Sequence, residues 1–273
     1  ILIQNKVAQR NFPYDNTTLS STIHNYLHSP PHNLYLTSNA KLLVNSNTVV
    51  EHAGPHGRLP KTVPLKKYPE ILFEEGKFDS NDSTNTYVQA GYTVTASSIL
   101  DSTRQPWEAF NGLYGDDVDG WFSQSGYGGA DNAYSGSANL GSDSGGPAFA
   151  NEDKGEWLKL EMPHKLTMTH IKIYASGSTR TVHAPEDFKI WGSNNNTNWT
   201  EILSETGAAP TVTGSTYNAD TTTTAYKYFA LVTTKLVNNN SHCDIGELEI
   251  YGYEEDPPAG DTSVDTTFTS IMN

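Results

Sequence analysis

The sequence predicts an all-β protein built around an antiparallel sandwich. Gly (22), Pro (14) and Tyr (15) are plentiful, and charged residues make up only 18% of the 273-residue chain. Helix-rich chains usually contain more Ala, Leu, Glu and Lys. Apolar and polar residues also alternate along several short segments, which is typical of strands with one buried and one solvated face. The alternation is found in residues 92–96, 157–162, 170–175, 187–191, 228–232 and 245–251.

Residues 1–67 are expected to form an extended, β-rich N-terminal arm with short strands and a proline-containing linker. Residues 33–50 predict two brief strands around a Ser38-Asn39 turn. The arm holds seven Lys or Arg and two acidic residues, a net charge of +5, which leaves −19 for the remainder of a chain of net charge −14. This split supports docking of the arm on other subunits, and simple compositional drift is the alternative explanation.

Three further divisions follow from composition. Residues 68–86 are expected to be a connector, and residues 87–253 form the main domain. Within it, residues 123–155 make a long Gly/Ser-rich loop, and a loop of that length is either functional or mobile. Residues 254–273 are polar and predict an exit linker to a further region. The chain begins without Met and stops inside a Thr/Ser-rich stretch, so it is expected to be a piece of a longer protein.

Several classes of protein are disfavoured. A net charge of −14 argues against a nucleic-acid partner, because phosphate binding needs a basic face. No apolar run reaches transmembrane length. Cys243 is the only cysteine, so no intrachain disulfide can form. Residues 142–147 (Ser-Asp-Ser-Gly-Gly-Pro) look like a serine-protease nucleophile segment but lack a matching histidine segment. His24, His28 and His32 have helical metal-ligand spacing, which the Pro30-Pro31 pair forbids.

A series of motifs runs through residues 87–253. The motifs lie at residues 95–98, 106–112, 121–123, 155–160, 163–166, 171–174, 185–194, 199–202 and 245–252. Taken in this order, they resemble the discoidin domain, also called the coagulation-factor type C domain, which is close to the family 32 carbohydrate-binding modules. The resemblance implies an eight-stranded antiparallel jelly-roll sandwich of the galactose-binding-like type, with ligand-binding loops at one end and no catalysis.

The resemblance also implies a structural Ca²⁺ ion, held by oxygen ligands from several chain segments as a hard cation requires. Asn111 stands where the family usually has Asp, and the turn is three residues longer. Asp116 and Asp117 in that longer turn could compensate or bind instead. The positions that match the family's ligands are the side chains of Asn111, Asp119 and Glu247 and the backbone carbonyls of Glu108, Leu113 and Gly246.

The ligand face is expected in the loops. Sugar sites usually combine an aromatic ring, which stacks on the pyranose, with a few polar groups for the hydroxyls. By resemblance, Arg180, His183, Asn239 and His242 are the polar candidates. Tyr127 and Tyr134, with Phe149 beside them in the long loop, could supply the ring. Trp157, Trp191 and Trp199 are better explained as packing residues.

The expected function is that of a non-catalytic, lectin-like adhesion module that binds a glycan or glycoprotein surface, either extracellular or on a virion. Residues 58–70 followed by such a domain also resemble virion-surface proteins of large DNA viruses of algae and marine protists. One alternative is a structural decoration, or a minor capsid or fibre component, that packs on neighbouring subunits without binding sugar. Another is the accessory module of a glycoside-processing enzyme whose catalytic domain lies elsewhere.

Overall fold

The computed structural model describes residues 65–255, apart from 83–84, 118, 220–223 and 239–240, and the backbone of five short strands before them. Contacts divide the chain into two units, Ile1–Val63 and Pro64–Asn273. The two units are therefore described separately. Most of the arm, the exit linker beyond residue 255 and the histidines at 24, 28 and 32 lie outside the described residues.

The first unit contains two small antiparallel sheets. The strands are β1 (Leu2–Gln4), β2 (Tyr35–Leu36), β3 (Lys41–Val44), β4 (Asn47–Glu51) and β5 (Gly57–Arg58). One sheet has the strand order β1-β3-β4 and the other pairs β2 with β5. The predicted turn at Ser38-Asn39 lies outside the described residues. The strands on either side of it, β2 and β3, pair with other strands, β2 with β5 and β3 with β1 and β4.

The second unit holds twelve strands within its described residues. A short α-helix, α1 (Leu140–Asp143), and four 3₁₀ turns (106–110, 130–132, 151–153 and 181–183) lie in the loops. The strands are β6 (Lys66–Tyr68), β7 (Ser80–Asn81), β8 (Thr86–Gln89), β9 (Tyr92–Ala96), β10 (Trp121–Phe122), β11 (Glu156–Tyr174), β12 (Pro185–Ser193), β13 (Thr200–Glu205), β14 (Ser215–Asn218), β15 (Tyr226–Leu236), β16 (Asp244–Ile245) and β17 (Glu247–Glu254).

The long strand β11 builds the sandwich by serving both layers. Its first part pairs with β9 and β15, and after a register shift between Glu161 and Leu166 its second part pairs with β17 and β14. The two alternating segments predicted at 157–162 and 170–175 are therefore one bent strand. Side chains from both parts, such as Leu160 and Ile171, join the same buried core. This antiparallel arrangement confirms the predicted galactose-binding-like jelly-roll class.

Residues 68–86 are more than the expected connector. β6 pairs antiparallel with β17, with Tyr68 opposite Ile250. Tyr68 and Phe73 are 0% and 1% exposed and belong to the main core. The alternation that marks strands is too short here to predict a three-residue edge strand. The domain therefore begins near residue 65.

The long loop at 123–155 covers the outer face of the sheet. Leu140 of α1 is fully buried with Trp157, and Phe149 packs on Trp191 with their ring centroids 4.3 Å apart. Trp199 packs against the same cluster. The expectation that these three tryptophans serve packing is confirmed. Within the described residues, no helix has the length and hydropathy needed to span a membrane.

Candidate ligand-binding site

The loops predicted to bind ligand leave the sandwich at one end. β9 ends at Ala96, beside the start of β11 at Glu156. β15 ends at Leu236, which is paired with Pro185 at the start of β12. Because β15 also pairs with the start of β11, these four strand ends lie together. The loops that emerge there are 97–155, 175–184 and 237–243.

The segment that carries Arg180 is held in a defined conformation. The backbone N–H and the hydroxyl of Thr179 both donate to the Asp117 carboxylate, at 3.2 and 2.7 Å. The backbone N–H of Arg180 donates to the carbonyl of Gly177. A Cβ atom at Gly177 would lie inside the Asp117 side chain, so only glycine fits this approach. The extended turn around Asp117 therefore positions the loop that presents Arg180.

Arg180 and His242 converge on the buried carboxylate of Asp244. Nη1 of Arg180 lies 3.3 Å from Asp244 Oδ2 and 3.3 Å from His242 Nε2. His242 Nε2 is also 3.3 Å from Asp244 Oδ1, although that oxygen has no hydrogen-bond partner among the described atoms. The Asp244 side chain is 0% exposed, whereas that of Arg180 is 30% exposed. The guanidinium can therefore reach a ligand while its other side is held by the carboxylate.

Burial sets the protonation of this cluster. It raises the pKa of Asp244 to about 8, against the opposing attraction of the Arg180 guanidinium. Burial, with smaller contributions from the neighbouring His183 and Arg180, lowers the pKa of His242 to about 4. The pKa of His183 is lowered as well, again chiefly by burial. Both imidazoles are consequently neutral at pH 7, and each offers one donor and one acceptor nitrogen.

Aromatic and cationic groups are stacked beneath this polar surface. The guanidinium carbons of Arg104 and Arg180 lie 4.7 and 5.1 Å from the centroid of the Phe122 ring. The His242 ring lies between Phe122, at 5.9 Å, and the His183 ring, at 4.6 Å. Phe122 is only 1% exposed. It therefore supports the polar groups and offers no free face to a sugar.

His183, His242 and Asp244 could also be considered as metal ligands, because their ligand atoms lie within 4.8 Å of one another. Arg180 argues against this interpretation. Its guanidinium is 3.3 Å from both Asp244 Oδ2 and His242 Nε2, so a positive charge already lies against two of the three groups. The arrangement is better described as a hydrogen-bonded network around the buried Asp244 carboxyl group.

The turn at 111–120 lies against the last strand, as the calcium prediction requires. Glu247 Oε2 accepts a hydrogen bond from the Gly112 N–H at 3.0 Å, and the Asn111 side-chain oxygen accepts one from the Leu113 N–H at 2.7 Å. A Cβ atom at Gly120 would lie 2.1 Å from the Ile245 carbonyl oxygen. This close approach fixes the end of the turn beside the strand.

The oxygen donors at this turn fit a hard cation. Glu247 is 3% exposed, and burial raises the pKa of its carboxyl to about 8. Burial also raises the pKa of Glu108 to about 7, with a smaller contribution from repulsion by Asp119. Carboxylates desolvated in this way are stabilised by a nearby positive ion. Leu113 is exposed in the turn, and Gly246 packs on the backbone of residues 175 and 176.

The two acidic residues of the longer turn, Asp116 and Asp117, make different contacts. The Asp117 carboxylate accepts two hydrogen bonds from Thr179, so it is engaged in holding the Arg180 loop. Asp116 is exposed, and its backbone forms a bridge to Gly177. The expectation that Asp117 could compensate for Asn111 is therefore corrected, because its oxygens face another loop.

The sequence decides the family. The family model described as the F5/8 type C domain matches residues 93–248. The chain belongs to this family. A comparison with curated proteins finds no match.

Solved structures similar to this F5/8 type C domain include carbohydrate-binding modules of low sequence identity. Chitosan-binding module 1 of a chitosanase/glucanase from Paenibacillus sp. IK-5 is 18% identical with a TM-score of 0.42, and the match covers 63% of this chain and all of that one. The family 32 module of Clostridium perfringens NanJ, solved with galactose, is 15% identical with a TM-score of 0.41, covering 59% and 94% of the two chains.

The predicted ligand residues of the F5/8 type C domain divide into two groups. Arg180, His183 and His242 are brought together, whereas Asn239 lies outside the described residues. Tyr127 is 0% exposed and its hydroxyl donates to the Thr233 carbonyl, so its proposed stacking role is corrected to core packing.

Tyr134 and Phe149 are also placed away from the cluster. The Tyr134 hydroxyl donates to Glu156 at 3.1 Å. Phe149 packs on Trp191. Neither ring contributes to the Arg180 cluster.

Sequence reasoning missed three members of the cluster: Arg104, Phe122 and Asp244. Phe122 lies in the motif at residues 121–123, which carries the resemblance but does not indicate a role in the ligand site. Asp244 could have been suspected, since a carboxylate two residues after a predicted ligand histidine and inside an apolar strand needs a partner. Arg104 gives no comparable signal, because its contact with Phe122 depends on tertiary folding.

Proposed function

We propose that this F5/8 type C domain binds carbohydrate without catalysis, through the loop end that carries Arg180, His183 and His242. The observation behind the proposal is the convergence of these three side chains on Asp244. A partly exposed guanidinium donates to pairs of hydroxyl oxygens, and neutral imidazoles can both donate to and accept from a sugar. Phe122 itself is only 1% exposed, which favours recognition by hydrogen bonds over stacking on its ring.

A glycan array probed with the full chain tests this proposal. We expect wild-type protein to bind a restricted set of glycans, and Arg180→Ala to weaken that binding by about 10- to 100-fold, because hydrogen bonds from charged groups are worth about 1.5–3 kcal/mol. Lys165→Ala is the matched control. Lys165 is an exposed cation at the opposite end of the sandwich, paired with Glu255.

Two results would contradict the sugar site. Equal binding by wild type and Arg180→Ala would remove the assigned anchor. Flat binding across the array, with and without Ca²⁺, would favour the structural decoration that packs on neighbouring subunits.

The proposal extends to a structural Ca²⁺ ion at the 111–120 turn. Asn111, Asp119 and Glu247 would hold it with side-chain oxygens, and Glu108, Leu113 and Gly246 with carbonyls. The support is the buried Glu247 carboxylate, which accepts the Gly112 N–H and whose pKa burial raises. Such an ion would stabilise the turn that carries Asp117 and, through Thr179, the loop of Arg180.

The proposal also includes an adhesion role for the protein, outside the cell, within a larger surface or virion assembly. Its support is the charge difference between the basic residues 1–67 and the acidic remainder of the chain. Attraction between the basic residues 1–67 of one copy and the acidic remainder of a neighbouring copy would be screened by salt. Sedimentation velocity at low and high ionic strength is the measurement that checks it.

A further inference from the structure

A second recess opens beside the Arg180 cluster, at the same end of the sandwich. It is a cleft of about 540 Å³ with Glu156 and Trp157 among its lining residues. Ser97 and Ser98 line it after β9, and residues 124–125, 134 and 136–138 of the long loop contribute further lining. Phe122 underlies the Arg180 cluster while Gln124 lines the cleft, so a short piece of backbone separates the two.

The cleft is built from ordered polar contacts. Glu156, 4% exposed, accepts hydrogen bonds from the hydroxyls of Ser97, Ser98 and Tyr134 at 2.5, 2.6 and 3.1 Å. Asp143 accepts from the indole N–H of Trp157 at 2.9 Å. Buried polar groups that make this many hydrogen bonds are held rigidly, which favours preorganised binding.

Glycines make room for the tyrosine that holds this arrangement. A Cβ atom at Gly126 or at Gly136 would lie 2.5 Å from the Tyr134 side chain. The Tyr134 hydroxyl also accepts the backbone N–H of Ala138 at 2.8 Å. Glycine is therefore required at positions 126 and 136, where the loop passes Tyr134.

The charge of the cleft is opposite to that of the Arg180 cluster. Two carboxylates, Asp143 and Glu156, line it, and no Lys, Arg or His does so among the described residues. The Nζ of Lys159 lies 5.2 Å from the Trp157 ring and donates to Asn196, so that cation is engaged outside the cleft. Serine hydroxyls and the Gln124 amide add further hydrogen-bonding groups to the lining. Its volume suits a ligand the size of a mono- or disaccharide.

We propose that this cleft is a second binding site, distinct from the Arg180 cluster, for a small polyhydroxylated ligand that carries an ammonium group. Hydroxyls of the ligand would exchange hydrogen bonds with the serines and Gln124, and its ammonium group would face the Asp143 carboxylate. An amino sugar with a free amine has this chemistry. The site does not depend on the glycan proposal for Arg180, because it shares no lining residue with that cluster.

Glucosamine is the probe, with glucose as its uncharged counterpart. In titrations of the full chain followed by ¹H–¹⁵N NMR, we expect glucosamine to shift the amide signals of residues 97–98, 124–125 and 136–138. Glucose should bind at least about tenfold more weakly, because charge-assisted hydrogen bonds are about twice as strong as neutral ones.

Asp143→Asn should weaken glucosamine binding at least about tenfold and bring it close to the affinity for glucose. Asp131→Asn is the matched control. Asp131 is an exposed carboxylate in the same loop, absent from the lining, with a φ of 55° that Asn tolerates. Ser137→Trp is a second test that keeps both carboxylates, since Ser137 is an exposed lining residue and an indole there would fill the cleft.

The outcomes separate the proposals. Equal affinities for glucosamine and glucose, unchanged binding by Asp143→Asn and Ser137→Trp, or no shifts at millimolar glucosamine would overturn the cleft as an ammonium site. Arg180→Ala should leave glucosamine binding intact. Its loss in that variant would show that the two sites are one.

Discussion

At the scale of single residues, Glu247 links the final strand to the 111–120 turn. Its carboxylate is buried and accepts the Gly112 N–H, and burial raises its pKa to about 8. A bound cation would favour the ionised form and add its binding free energy to folding. We therefore predict that 1 mM Ca²⁺ raises the Tm of the full chain by about 5 °C or more relative to EGTA, measured by differential scanning calorimetry.

The variant Glu247→Gln should lose most of that Ca²⁺ response. Glu74→Gln is its control, because Glu74 is an exposed carboxylate paired with Lys77 and lies outside the proposed ligand set. A wild-type Tm unaffected by Ca²⁺ would refute the metal proposal. An equal shift with Mg²⁺ would show charge screening in place of a site, since Mg²⁺ demands a smaller and more regular coordination shell.

At the scale of elements, the long loop depends on close backbone approach to Tyr134. Gly126→Ala would place a Cβ atom 2.5 Å from that ring, whereas Gly128→Ala would meet only the Ser135 hydroxyl at 3.6 Å, an ordinary contact. We predict that Gly126→Ala lowers the free energy of unfolding by about 1–3 kcal/mol, the usual range for overpacking. Urea denaturation should show it.

Gly128→Ala is the matched control from the same loop. We expect it to change stability by less than about 0.5 kcal/mol, as surface substitutions usually do. Equal effects of the two variants would contradict the packing described for Tyr134, because both replace glycine by alanine in neighbouring parts of one loop.

The loop also shows where sequence reasoning stops. β9 could be predicted residue for residue, because alternation between buried and half-buried side chains is a local pattern. The contacts that order the loop are distant in sequence, such as the Tyr127 hydroxyl with Thr233 and Phe149 with Trp191. The Gly-, Ser- and Asn-rich composition of the loop does not indicate which residues Tyr127 and Phe149 contact. The same limit hid Arg104, whose contact with Phe122 is tertiary, while Arg180 and His183 could be found from their place in the family's loop.

At the scale of the whole molecule, the N-terminal limit of the domain is set by the residues that fill its core. The motifs that carry the resemblance begin at residue 95, but Tyr68 and Phe73 fill the sandwich from a segment before the first of them. β6 also adds a strand beside β17. Large aromatic residues buried to this extent contribute about 3–5 kcal/mol each when truncated to Ala. That sum is comparable with the total stability of a typical domain.

We therefore predict that residues 65–255 unfold cooperatively by circular dichroism, whereas residues 87–255 lose the cooperative transition or melt at least about 10 °C lower. Point variants of the full chain make the same test without truncation. Phe73→Ala should cost about 3 kcal/mol or more, while Leu72→Ala, at a side chain 47% exposed, should cost less than about 1 kcal/mol. If residues 87–255 melt like residues 65–255, the segment before β8 only decorates the sandwich, and the core closes without Tyr68 and Phe73.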